Sequence, residues 1–223
     1  MFRQAVPAIW LYPESKCDVE IALHFQGSGF MTLSNPPYQD RWRIHVDPSI
    51  PFARYRERFG SHTHHEFLDY DGLREAPYQM RQGWCLLQTE FIEWQRTSLR
   101  DLGCTDSELE SLVYCYGRMF LDLKREGTHV CIYPQEKAIV DQSVILEVTP
   151  APSTVNRIWF FIQLTDGPRP IEPPKLDPIV RNGFTVVEIG YLTARDVPGL
   201  IKRSKDHGHA FGFLPHWVKQ NWN

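Results

Sequence analysis

The chain predicts an α+β fold: a mainly antiparallel β-sandwich with an inserted helical hairpin and an added C-terminal tail. Three observations carry this expectation. Apolar residues alternate with period two in the first half of the chain, as half-buried strands require, and residues that favour β structure return after position 130. Between them, residues 89–122 switch to helical spacing. A proline-rich connector and an aromatic tail close the chain. At 223 residues the sequence suits one domain over 1–223, with 89–122 as the hairpin insertion and 192–223 as the extension.

The elements follow in order. In 17–25, Val19, Ile21, Leu23 and Phe25 share one face while Asp18, Glu20 and His24 share the other. Residues 41–47 repeat the pattern with Trp42, Ile44 and Val46 inward, after a turn at Ser34-Asn35-Pro36-Pro37. Residues 62–70 form a third expected strand. Residues 89–102 read as a helix capped by Thr89 and closed by Gly103. Thr105-Asp106-Ser107-Glu108 is a capping box that opens a second helix to about Asp122. Leu109, Leu112, Val113, Tyr116, Met119 and Phe120 form its apolar stripe.

Strands return at 130–133, 144–148, 155–164 and 184–191, where β-branched and aromatic residues concentrate. The third of these is apolar on both faces, with Asn156, Ile158, Phe160, Ile162 and Leu164 opposite Arg157, Trp159 and Phe161. A strand of that kind belongs at the centre of a layered fold. Pro168, Pro170, Pro173, Pro174 and Pro178 make an extended connector that cannot join a sheet interior.

Composition narrows the function classes. The formal net charge of −3 argues against a nucleic-acid surface. The basic clusters Arg54-Tyr55-Arg56-Glu57-Arg58 and Lys202-Arg203-Ser204-Lys205 are short and suit a solvated surface. The longest apolar run, 158–164, is too short to span a bilayer, so no membrane association is expected. Pro7 breaks the apolar run at 5–12, which does not read as a secretory leader. Five widely spaced cysteines without a Cys-x-x-Cys suit a reduced, cytoplasmic protein. No G-x-G-x-x-G, Walker loop or G-x-S-x-G elbow is present, so neither nicotinamide nor nucleotide is expected as cofactor.

Several segments, taken in order, resemble a bacterial family of uncharacterised function. They are Ile9-Trp10-Leu11-Tyr12-Pro13-Glu14; Thr32-Leu33-Ser34-Asn35-Pro36-Pro37-Tyr38 with Trp42; and Phe67-Leu68-Asp69-Tyr70-Asp71-Gly72. The helical hairpin follows, then Val148-Thr149-Pro150-Ala151-Pro152-Ser153-Thr154, Arg157, and the closing Arg181-Asn182-Gly183-Phe184-Thr185-Val186-Val187-Glu188-Ile189-Gly190. The resemblance spans about 8–190 and implies a fold rather than an activity. The family usually carries Glu at the position of Asp71. Residues 50–65 and the tail after Tyr191 depart from its pattern, and such appended segments carry function readily.

Three functional expectations follow. The first is a cofactor-independent enzyme acting on a hydrophobic small molecule by cyclisation, isomerisation (pericyclic reactions included) or dehydration. Arg157 and Glu188 sit in otherwise apolar strands, where a charge must be paired or put to use. With Tyr70 and His64 they form the expected polar set. Tyr12, Trp42, Asp71, Trp159, Tyr191 and Trp217 are the expected substrate contacts, because aromatic side chains offer broad apolar walls with polar tips. The second is a non-catalytic binding module for a glycan, peptide or protein. The third is a metal-dependent enzyme using His62, His64 and Glu66, which would share one face of a continuous strand. The tail holds His207, His209 and His216 among Phe211, Phe213, Trp217 and Trp222; it either covers a sheet or closes a pocket. The sequence leaves the oligomeric state open.

Overall fold

The computed structural model describes residues 3–27, 29–50, 55–57, 64–74, 78–116 and 128–193. The expected hairpin segment 117–122 and the tail from 194 onward lie outside them. Within the described residues the protein is α+β, mostly antiparallel, and arranged in three layers.

The middle layer is a seven-stranded sheet. It contains β1 (Arg3–Tyr12), β3 (Phe30–Asn35), β7 (Leu68–Arg74), β8 (Trp84–Leu87), β9 (His129–Gln135), β11 (Thr154–Thr165) and β12 (Thr185–Thr193). Their order across the sheet is β3-β7-β1-β12-β11-β9-β8. The outer layer is a five-stranded sheet of β2 (Cys17–Phe25), β4 (Trp42–Val46), β5 (Tyr55–Glu57), β6 (His64–His65) and β10 (Val144–Thr149), in order β10-β2-β4-β5-β6. The third layer holds α1 (Phe91–Asp101) and α2 (Asp106–Tyr116). A short helix, α3 (Lys137–Ser143), links β9 to β10.

Period two explains the two cores. Odd positions of β11, Trp159 and Phe161, face the five-stranded sheet, where they meet Ile21, Trp42 and Ile44. Even positions, Phe160 and Ile162, face the helices, where they meet Trp94, Leu109 and Leu112. The middle sheet is therefore apolar on both sides, as the sequence of β11 required. β11 and β12 run parallel, with Arg157 opposite Glu188 and Trp159 opposite Gly190; every other strand pair is antiparallel. The proline-rich connector makes the crossover. Ile179 N–H donates to Leu102 O at 2.8 Å, and Asn156 grips Val180 through both its amide oxygen and its amide nitrogen.

Local signals placed the helical hairpin. Gly103, at φ +96°, ends α1 in the left-handed region that glycine tolerates. Cys104 N–H donates to Leu99 O, and Gly103 N–H donates to Arg100 O, which completes a Schellman motif. The Thr105 capping box forms as read: Glu108 N–H donates to Thr105 Oγ1, and Thr105 N–H donates to Glu108 Oε2. Thr89 is not the cap of the first helix. A 3-10 turn, Gln88–Glu90, precedes α1; Leu87 caps that turn, with its N–H donating to the Glu90 carboxylate, and Glu90 is the N-cap of α1.

Two sequence readings change. Residues 62–70 do not make one strand. β6 ends at His65 in the outer sheet, a bend follows, and β7 begins at Leu68 in the middle sheet. Pro7 marks no chain break; it lies within β1, next to the centre of the middle sheet. It pairs with Gly190 on one side, while the ladder to β7 skips from Ala5 to Ala8 on the other. A proline cannot donate to a ladder, so the sheet accepts it where that ladder is interrupted.

Candidate functional site

Among the described residues, the inter-sheet layer holds a buried ionic set. The parallel register of β11 and β12 places Arg157 beside Glu188, both facing the outer sheet. Arg157 Nε donates to Glu188 Oε2 at 2.5 Å. Tyr70 sits on β7, two strands from Glu188 across β1, and its hydroxyl donates to Glu188 Oε1 at 2.8 Å. Glu188 and Tyr70 are 0% exposed and Arg157 is 6% exposed. The guanidinium also donates through Nη1 to Asp141 Oδ1 at 2.8 Å and to Val144 O at 2.6 Å. Its Nη2 is buried and has no hydrogen-bond partner among the described residues.

The bonds thus run from Tyr70 through Glu188 and Arg157 to Asp141, from the middle of the layer outward to α3. Asp141 is 39% exposed, so this end meets solvent. Burial works against the Arg157 charge, but Glu188, with Tyr70 and Asp141, outweighs burial and raises its pKa. Burial pulls the Asp141 carboxyl up, while Lys137 and Arg157 pull it further down, to a net depression. Aromatic rings enclose the set. Arg157 lies 5.9 Å from the Trp159 ring centre, and Trp42 lies 6.4 Å from Tyr70. Gly190 makes room for the Trp159 indole: a β-carbon there would come within 3.2 Å of Trp159 Nε1.

Five of the expected site residues therefore meet: Arg157, Glu188, Tyr70, Trp42 and Trp159. Tyr12, Asp71 and Tyr191 lie on the helix side of the same sheet. Tyr12 donates to Glu108 Oε1 at 2.5 Å, and Arg181 donates to Glu108 Oε2 at 2.6 Å. The Arg181 guanidinium lies 4.8 Å from the Tyr12 ring centre. Tyr191 accepts a hydrogen bond from Gln95 Nε2 at 2.9 Å and stacks on Phe160; burial raises its pKa. Asp71 alternates with Tyr70 along β7 and so points toward the helices, where it helps burial raise the pKa of Tyr116.

The three metal candidates do not share a continuous strand. Glu66 falls in the bend after β6 and accepts a hydrogen bond from Ser107 Oγ. His64 pairs with Arg56 through the backbone of β6, and its side chain lies outside the described residues, as does all of His62. Among the described residues no group of three His, Cys, Asp or Glu is placed to hold a metal. Trp217 also lies outside them. No helix among the described residues is long and apolar enough to cross a membrane.

Sequence reasoning missed Asp141, which carries the ionic set to the surface. Lys137 and Asp141 are four apart, an ion-pair spacing on a helix, and this was the available signal. Comparison of the chain with protein-family models, with curated proteins and with solved structures gives no match. The reading of the site therefore rests on its own geometry.

Proposed function

We propose that the protein is a cofactor-independent enzyme that binds a hydrophobic small molecule between its two sheets. It promotes cyclisation, isomerisation or loss of water. One observation supports this above the rest: Arg157 keeps a buried, unfilled Nη2 beside Glu188 and Tyr70, in a layer otherwise built of apolar and aromatic side chains. A buried N–H donor without a partner is costly, so a carbonyl or carboxylate oxygen that fills it gains a charge-assisted bond.

The chemistry follows from the same groups. Arg157 donates to the substrate oxygen and stabilises negative charge that develops there. Glu188 holds the Tyr70 hydroxyl hydrogen and so fixes the phenol beside the guanidinium. Trp42 and Trp159 hold the carbon skeleton in a folded, reactive shape, which lowers the entropic part of the barrier. The substrate reaches the set from the Asp141 end, where α3 must move aside.

Metabolite mass spectrometry of a deletion strain against its parent tests this reading. An isomer of equal mass, or a species differing by one water, should accumulate as a product disappears. Re-expressing the Tyr12→Phe protein should restore the product; a folded Tyr70→Phe protein should not. An unchanged profile under conditions of expression, or full rescue by Tyr70→Phe, would leave the ionic set as an internal brace and end the enzyme proposal.

A further inference from the structure

A second feature stands apart from the ionic set. Cys85 on β8 and Cys131 on β9 are direct cross-strand partners in an antiparallel pair. Residues opposite each other in such a ladder have Cα atoms about 4.5 or 5.5 Å apart, and both spacings lie within the range a disulfide spans. The sulfurs are already 3.0 Å apart, with the Cys131 thiol donating to Cys85 Sγ. A disulfide needs them to close to about 2.0 Å, a displacement of roughly 1 Å.

The two thiols are unlike. Cys85 lies on β8, at the edge of the middle sheet, and is partly exposed. Its sulfur accepts from Cys131 and from the Arg169 backbone N–H at 3.2 Å. Its partial exposure lets a small disulfide reach it, and the thiolate is the form that attacks. Cys131 is 0% exposed, with Thr165 Oγ1 3.8 Å away. Burial pushes its thiol up to about 11. It is poorly suited to meet an external oxidant and well placed to attack a sulfur bonded to Cys85.

We propose that Cys85 and Cys131 form a reversible dithiol–disulfide couple that fastens edge strand β8 to β9. The oxidant is a low-molecular-weight disulfide such as oxidised glutathione. The Cys85 thiolate attacks one sulfur of that disulfide, forms a mixed disulfide and expels one glutathione thiolate. Cys131 then gives up its proton and attacks the Cys85 sulfur, expelling the second. Two protein thiols become one disulfide, one external disulfide becomes two thiols, and the electrons balance. β8 runs into the cap of the 3-10 turn at Leu87, directly before α1, so the bond also ties the start of the helical hairpin to the sheet.

The test is to equilibrate the full-length protein with oxidised glutathione, alkylate remaining thiols under denaturing conditions, and map the peptides. Two of the five thiols should escape alkylation, joined as Cys85–Cys131, with Cys17, Cys104 and Cys115 alkylated as internal controls. The midpoint of thermal unfolding should rise by about 5–10 °C on oxidation and return with dithiothreitol. A Cys131→Ser protein should stop at the Cys85–glutathione mixed disulfide. Five reduced thiols, a stable mixed disulfide on wild-type Cys85, or pairing of Cys131 with another cysteine would each overturn the proposal.

Discussion

Two buried glutamates lie on opposite sides of the middle sheet, and they have different reasons for being there. Glu108, 0% exposed, is the closing residue of a capping box. It satisfies the first turn of α2 and then gathers Tyr12 and Arg181, so it pins the hairpin to β1 and to the connector. Its burial has a local explanation. Glu188, equally buried, serves no cap and interrupts an apolar strand. Its partners arrive from distant elements, and one of them, Arg157, keeps an unfilled donor. A buried charge with a helix-capping task is part of the scaffold. One without such a task is where function is best sought.

The largest expected effect would break this comparison directly. Arg157→Leu removes the cation beside Glu188, leaving that buried carboxyl group with the Tyr70 hydroxyl, and should cost about 3–5 kcal/mol in urea unfolding. Adding Glu188→Leu should recover much of that loss, because two apolar residues replace the pair. If the double variant is as unstable as the single one, the pair is not the origin of the cost.

The next effect depends on pH and concerns the helix side of β7. Burial pushes the Asp69 carboxyl up to about 6, from 3.8. A raised carboxyl pKa means that the folded state holds the proton more tightly. Its stabilisation is complete below about pH 4 and is lost as pH rises through 6. The loss amounts to roughly 2–3 kcal/mol. Asp69→Asn should remove this slope, matching the wild type near pH 4 and exceeding it at pH 8. Parallel stability curves for the two proteins across that window would refute the assignment.

The smallest effect sharpens the contrast between the glutamates. A capping box accepts Gln in place of Glu. Glu108→Gln should therefore cost about 1 kcal/mol, since Arg181 is half-exposed and water can solvate it. Glu188→Gln strips the fully buried end of the Arg157 pair and should cost clearly more. Equal losses would erase the distinction between a scaffold charge and a site charge.

Much of the scaffold was legible because its causes are local. Period two marked β2 and β4, β-favouring composition marked β11 and β12, and the prediction of inward Val19, Ile21, Trp42 and Ile44 holds. The capping box and Gly103 placed the hairpin, since both depend on backbone groups within five residues. Less local features escaped. β1 was hidden by Pro7, which offends a strand unless its ladder is interrupted at that point. β3 pairs with neither β2 nor β4, its neighbours in sequence, and crosses to the other sheet instead. α3 is only seven residues long, too short for a clear helical period, and Asp141 went unseen with it.

The sequence by itself determined which residues alternate, where the helices cap and stop, and that Arg157 and Glu188 needed partners. Only the tertiary structure decided who those partners are. Tyr70 and Glu188 are 118 residues apart, and their meeting depends on β1 lying between β7 and β12. It also decided that Tyr12, Asp71 and Tyr191 fall on the far side of the sheet from the ionic set. Alternation assigns a face within each strand, but which face meets the second sheet and which the helices is fixed by packing. Local hydrogen bonds and periodicity can be read along a chain; the choice among distant partners is made by the burial that closes the whole fold.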